Sequence, residues 1–249
     1  MAKYTNPPII EALCEFQFLP SQEWDMTLPG LLYQEIKEEF PNKHQQTGVG
    51  IQFRPTEKGI EHKVEQAPPR IQFHRKDKTA LVQVAPDLLV INQLAPYPTW
   101  TTFKPKIAEI FNKYIALANP KGFKRIGLRY INKVIFPPAP VTLEEYFNFY
   151  PYVPKDLPQI HSSFISRVEL LYLNERDRLV ITISNAIPEP NKVPIILDLD
   201  YIMIKQEGIP IGACEEWLEQ AHSAAEKAFE TCITDKSRIL FGEILQCPT

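Results

Sequence analysis

Residues 124–136, KRIGLRYINKVIF, constrain this chain more than any other stretch. Ile126, Leu128, Tyr130, Val134 and Phe136 fall on one side at period two, and Arg125, Arg129 and Lys133 fall on the other. That alternation fits a strand with one face on a core and the other turned away from it. Helices must then cover one side of the sheet, and whatever lies on the other side is polar. Near the N-terminus PPIIEALCEFQFLP has the same build, with Ile10, Ala12, Cys14, Phe16 and Phe18 alternating with Glu11, Glu15 and Gln17. A proline closes each of the two stretches, because it cannot donate in a ladder.

The residues between and after these strands repeat one order. After the first come an amphipathic helix through Leu28, Leu31, Leu32, Ile36 and Phe40, then short strands near 51–54, 60–65, 70–75, 79–84 and 88–93. A long helix over 99–117 follows, its stripe formed by Phe103, Ile107, Ile110, Phe111 and Tyr114. After the second strand, Thr142 and Glu145 have capping-box spacing for a short helix through Phe149. Strands follow at 163–173, 179–185 and 193–204, then a helix over 214–232 with Trp217, Leu218, Ala221, Ala225, Ala228 and Phe229 on one side. The tail from Thr234 carries Ile239, Leu240, Phe241, Ile244 and Leu245, which need covering.

The expected fold class is therefore α+β. Two pseudo-repeated halves, 1–120 and 121–249, each running strand, helix, antiparallel strands, helix, form one curved antiparallel sheet with helices on one face. This order is the pattern of the TATA-binding-protein-like group, a likeness of pattern that says nothing about function.

Composition narrows the classes of function. A net charge of −3 gives no general attraction to nucleic acid or anionic membranes, and no apolar run reaches the length of a membrane span. With 9 glycines there is no GxGxxG or GxxxxGK[ST] phosphate loop, and no GxSxG or SxxK nucleophile motif occurs. Cys14, Cys214, Cys232 and Cys247 lack metal or redox spacing, which suits a reduced cytoplasmic protein. The histidines 44, 62, 74, 161 and 222 lie in separate segments without HxH or HExxH spacing.

The words NPPIIEALCEFQF, LVQVAPDLLVINQLAPYPTW, RIGLRYINKV and LEEYF resemble a bacterial family described as sporadically distributed protein, over about residues 6–244. The resemblance implies a bacterial cytoplasmic protein with no assigned activity and no catalytic residues to carry over. It also implies mobile or defence-related gene neighbourhoods.

Candidate chemistry lies on the polar sheet face, which by alternation includes Glu15, Gln17, Gln72, His74, Gln83, Arg129, Arg167, Glu169, Thr182, Ser184, Asp198 and Asp200. The plainest reading is a solvated face. Arg129, Glu15, Arg167 and Glu169 are the candidate ligand contacts, with Arg129 foremost and a Glu15–Arg129 ion pair as its structural alternative. Asp198 and Asp200 sit two apart on one strand face, ~7 Å from each other, and could share Mg²⁺ or Mn²⁺ through oxygen ligands. Asn132 interrupts the apolar face as a backbone-bonded amide, and Lys121, Lys124 and Arg125 make a small basic cluster. The function expected is non-enzymatic binding of a protein or small ligand, without a cofactor. The rival readings are metal-assisted phosphoryl transfer or hydrolysis at Asp198 and Asp200, and nucleic-acid binding. A homodimer is compatible with either class.

Overall fold

The structure is a computed structural model that describes residues 3–21, 23–56, 59–139, 141–159, 162–187 and 189–244, with side chains described everywhere in these except at Lys3 and 47–68. The side chain of His62, and all of His161, Leu245 and Cys247, lie outside the described residues.

Two long alternating strands, β2 (Ile9–Leu19) and β7 (Gly122–Phe136), pair antiparallel at the centre of a nine-stranded sheet. On one side of them lie β6 (Leu88–Leu94), β5 (Ala80–Ala85), β4 (Gly59–His74) and β3 (Asn42–Thr56), in that order outward. On the other side lie β10 (Val193–Met203), β9 (Asp177–Asn185) and β8 (Ile165–Tyr172). All these pairings are antiparallel. In each half the first strand is innermost and the last strand of the half lies beside it.

One face of the sheet is covered by α1 (Leu28–Ile36), α2 (Trp100–Ala118) and α3 (Cys214–Cys232). Their apolar stripes meet the inward residues of the strands. Phe111 lies 4.8 Å from Phe16 and Tyr114 4.9 Å from Phe18, ring centre to ring centre, while Trp217 lies 5.7 Å from Tyr201. Tyr33 of α1 rests 5.4 Å from Phe73. Ile126, Leu128, Tyr130, Val134 and Phe136 are buried in this layer, as the alternation predicts, and one hydrophobic cluster takes in residues of both halves. Asn132 is buried among them and donates to the Leu197 carbonyl at 3.1 Å.

Several local expectations are corrected. The strands expected at 60–65 and 70–75 are one strand, β4, that runs through Pro68 and Pro69. It can do so because it meets β5 only over Ile71–His74, and a register shift against β3 between Gln46 and Gly48 takes up the prolines. The capping box at Thr142 does not form: Leu143–Glu145 is a single tight turn with no side-chain cap. The C-terminal segment holds a helix, α4 (Asp235–Phe241), that buries Phe241 but leaves Ile239 and Leu240 exposed. It ends at Gly242 with φ 68°, where a Cβ would stand 2.1 Å from Thr5 Oγ1. Only glycine fits there, and it lets β11 (Glu243–Ile244) pair with β1 (Lys3–Tyr4). Among the described residues no helix is long and apolar enough to cross a membrane. Cys14, Cys214 and Cys232 are buried and unbridged.

Candidate functional site

The polar face is built where β2, β7 and β10 lie side by side. Period two places Glu15 on β2, Arg125 and Arg129 on β7, and Asp198 and Asp200 on β10, all turned away from the helices. The register puts Arg129 beside Asp200 and Ile131 beside Asp198, and the bonded pairs run diagonally: Arg129 to Asp198 and Arg125 to Glu15 one same-face position along, and Arg125 to Asp200 two. Arg129 reaches Asp198 as a fork, Nε to Oδ1 at 2.8 Å and Nη2 to Oδ2 at 2.5 Å. Arg125 bridges Glu15 on one side and Asp200, at 3.5 Å, on the other. Gln17 donates to Glu15 at 2.8 Å.

Gly127 leaves room beside the Arg125 guanidinium, which an alanine Cβ would meet only at ordinary contact distance. A Cβ at Gly127 would stand 3.4 Å from both terminal guanidinium nitrogens and 3.5 Å from Asp200 Oδ1. A branched side chain would displace the guanidinium. Burial lifts the Asp200 carboxyl to about 6, against the pull of Arg125 and Arg129 and with the push of Asp198 and Glu15. The fork to Asp198 holds Arg129 still more firmly protonated than usual.

The expected Glu15–Arg129 pair is therefore corrected. Glu15 takes Arg125, a residue the sequence reading left among the basic cluster, and Arg129 takes Asp198. Arg167 and Glu169 are not brought to this centre. They lie on β8, the sheet's edge, exposed and bonded to each other at 2.6 Å, with Arg178 also on Glu169. Three inter-strand spacings, about 14 Å, separate β8 from β7. Among the described residues no group of three metal-ligating side chains comes together. Asp198 and Asp200 lie on one face, as expected, and each has an arginine as its neighbour.

Beside this block runs a ladder of amides across four strands. Asn92 donates to Glu11 at 2.7 Å, Gln83 to Asn92 at 2.9 Å, and Gln72 to Gln83 at 3.1 Å, with His74 on Gln72 at 3.2 Å. Glu11 alternates with the apolar residues of β2, but Asn92 lies in a mostly apolar run, LLVINQL, where alternation marks no polar face. The face is also less open than alternation implies. Ala85, Leu88 and Val90 point to the polar side of β5 and β6 and are nonetheless buried, in a small cluster with Leu13.

At the end of the block lies a cavity of about 470 Å³, lined by Gln17, Arg70, Asp87, Leu88, Lys124 and Gln206 among others. Its geometry comes from a bulge. Gln17 pairs with Arg125 and Phe18 with Phe123, which leaves Lys124 unpaired and aimed outward next to Arg125. Arg70 and Lys124 are exposed and, among the described residues, neither has a hydrogen-bonded or salt-bridged acid. Burial pushes the Asp87 carboxyl up and Lys124 draws it down. The cavity floor is apolar, with Phe18, Leu19, Ala85 and Leu88.

The helix side has its own polar cluster. Tyr130 hydrogen-bonds His222 Nδ1 at 2.9 Å, and Trp100 stacks on the imidazole at 4.3 Å. Burial holds His222 down to about 4. Deeper still, Asp177 is fully buried and accepts from Arg176, from Tyr201 at 3.1 Å and from Trp217 at 3.2 Å. It ties β9, β10 and α3 together.

No family model matches the chain, and no curated protein proves similar to it.

Proposed function

We propose that this chain is a binding protein without catalysis of its own, and that its ligand enters the cavity at the end of the polar face. One observation carries the reading. The two central arginines are already held by Glu15, Asp198 and Asp200, whereas Arg70 and Lys124, among the described residues, have no hydrogen-bonded or salt-bridged acid, with only Asp87 acting on Lys124 from a distance and with Phe18, Leu19, Ala85 and Leu88 in the same lining. With Asp87 the cavity has a net charge of about one positive, which suits a small monoanion with an apolar body better than a polyphosphate. Its volume of about 470 Å³ lies in the range of small-ligand sites. The two central arginines are already taken by three acids, so the rest of the face favours nucleic acid little, since phosphate contacts need free cations.

The test is a calorimetric titration with linear monocarboxylates of increasing length, with inorganic phosphate as control at matched ionic strength. Affinity should rise with chain length, and R70Q/K124Q should lose it by about tenfold or more. Equal binding by that variant, or no binding by the wild type, would sink this assignment.

A second reading rests on Asp200, whose raised carboxyl beside Asp198 is the kind of perturbation found at reacting sites. In it, Asp198 and Asp200 take Mg²⁺ or Mn²⁺ for phosphoryl transfer or hydrolysis, and a metal-dependent thermal shift would vanish in D198N/D200N. The mirrored strand order about β2 and β7 supports a further proposal, that the halves 1–120 and 121–249 are copies of one TATA-binding-protein-like plan. The resemblance to the sporadically distributed bacterial family supports a cytoplasmic accessory role.

A further inference from the structure

The sheet ends at β8, and β8 is unlike the described side chains of the other edge. The described side chains of β3 from 42 to 46 are all polar, Asn-Lys-His-Gln-Gln, while β8 reads Ile-Ser-Arg-Val-Glu-Leu-Leu-Tyr. Its apolar residues are in the open: Ile165 is 72% exposed, Leu171 56%, Leu170 43% and Val168 38%. Among the described residues β9 pairs with it along one side only, and α3 packs mainly over β10 and β7, well in from β8. Alternate N–H and C=O groups along its outer side point away from β9 and form an open template for another strand.

We propose that the partner of this edge is β8 of a second copy of the chain, paired antiparallel about a twofold axis through Val168. The sequence is self-complementary in that register. Arg167 faces the second copy's Glu169, and Glu169 faces its Arg167. Ile165 faces Leu171, Ser166 faces Leu170, and the two Val168 residues meet at the axis. The axis stands perpendicular to the sheet, so like faces continue as like faces: charges meet on the polar side, and Val168 and Leu170 on the helix side. Arg167 and Glu169 already lie on one face, 2.6 Å apart, with Arg178 behind Glu169. The dimer joins the Arg167–Glu169–Arg178 cluster of each copy into one network of alternating charge and brings the apolar side chains of β8 together across the axis. A single foreign strand gains the backbone bonds but not this matched register. The proposal stands apart from the cavity, which lies across the sheet at β2 and β4, so either one can fail without the other.

The experiment is a charge-swap complementation followed by sedimentation velocity over a concentration series. Wild type should dimerise. R167E alone places Glu opposite Glu twice, and E169R alone places Arg opposite Arg twice. Each should raise the dimer dissociation constant by about tenfold or more. An equimolar mixture of the two restores Glu–Arg at both positions and should recover the wild-type constant as a heterodimer. Both substitutions sit on an exposed strand, and matching circular dichroism with wild type checks that they fold. A wild type that stays monomeric at its highest soluble concentration overturns the proposal. So does a dimer indifferent to either substitution, and so does a mixture that recovers nothing, which would mean another surface or another register.

Discussion

Asp200 and His222 are a carboxylate and an imidazole with large shifts whose titration should be visible in stability, and they work in opposite directions. The Asp200 carboxyl is lifted to about 6, above the ~3.9 of an unfolded chain, so the native state binds the extra proton. Its contribution is full below pH ~4 and is lost as pH rises through about 6. His222 is held at about 4, below the ~6.5 of a free imidazole. Its contribution is full above pH ~6.5 and is lost as pH falls through about 4. In wild type the two offset each other between these values. Asp200→Asn leaves Arg125 its bond to Glu15 and exposes the His222 slope, about 1–3 kcal/mol lost between pH 6.5 and 4 relative to wild type. Urea midpoints at four pH values would show it, and parallel profiles for the two proteins would refute it. The ion pairs are tested by double-mutant cycles at neutral pH. Coupling of ~1–3 kcal/mol is expected for Glu15 with Arg125 and for Arg129 with Asp198, and under ~0.5 kcal/mol for Glu15 with Arg129.

At the scale of elements, β7 sets the sheet because both of its faces are used. Leu128 sits on the buried side with no exposed surface, and Cys14 of β2 and Tyr201 of β10 are its neighbours in register. Leu128→Ala should cost ~2–5 kcal/mol, since strands and helix on all sides keep the void from collapsing. A chemical-denaturation shift under ~1 kcal/mol would contradict the facing described. The opposite face of the same strand was only half legible in the sequence. Alternation placed Arg125, Arg129, Asp198 and Asp200 on one side, but which arginine meets which acid depends on register between strands far apart in the chain. Lys124 is the clearest case. Period two alone would have put it on the apolar side, and the bulge opposite Gln17 and Phe18 turned it into the cavity wall.

For the whole molecule, stability should be graded from the centre of the sheet outward. β2 and β7 have a strand on each side and helices over them, whereas β8 has one neighbour and exposed side chains. Native-state hydrogen exchange at low protein concentration should find the β2 and β7 amides opening only with global unfolding, and the β8 amides opening at clearly lower free energy. Uniform protection across the sheet would count against this ordering. In concentrated protein the gap should narrow if β8 pairs with a second copy.

What the sequence by itself determined were the elements whose cause is local. The helix stripes at three- and four-residue spacing, the alternation in β2, β7 and β10, and the proline stops follow from side-chain periodicity and backbone chemistry within a few residues. The α+β class with helices on one face follows from these in turn. Tertiary structure alone decided the pairing of Glu15 with Arg125, the amide ladder ending on Glu11, and the buried Asp177 under Trp217. It also decided the failure of the Thr142 capping box and the exposure of β8. Each of these depends on contacts between residues many positions apart, most of them on which strands become neighbours and in what register, and the turn at Leu143–Glu145 on Thr234 and Lys236. Local periodicity carries no information about such contacts, because a strand pairs by backbone groups that every residue except proline offers alike.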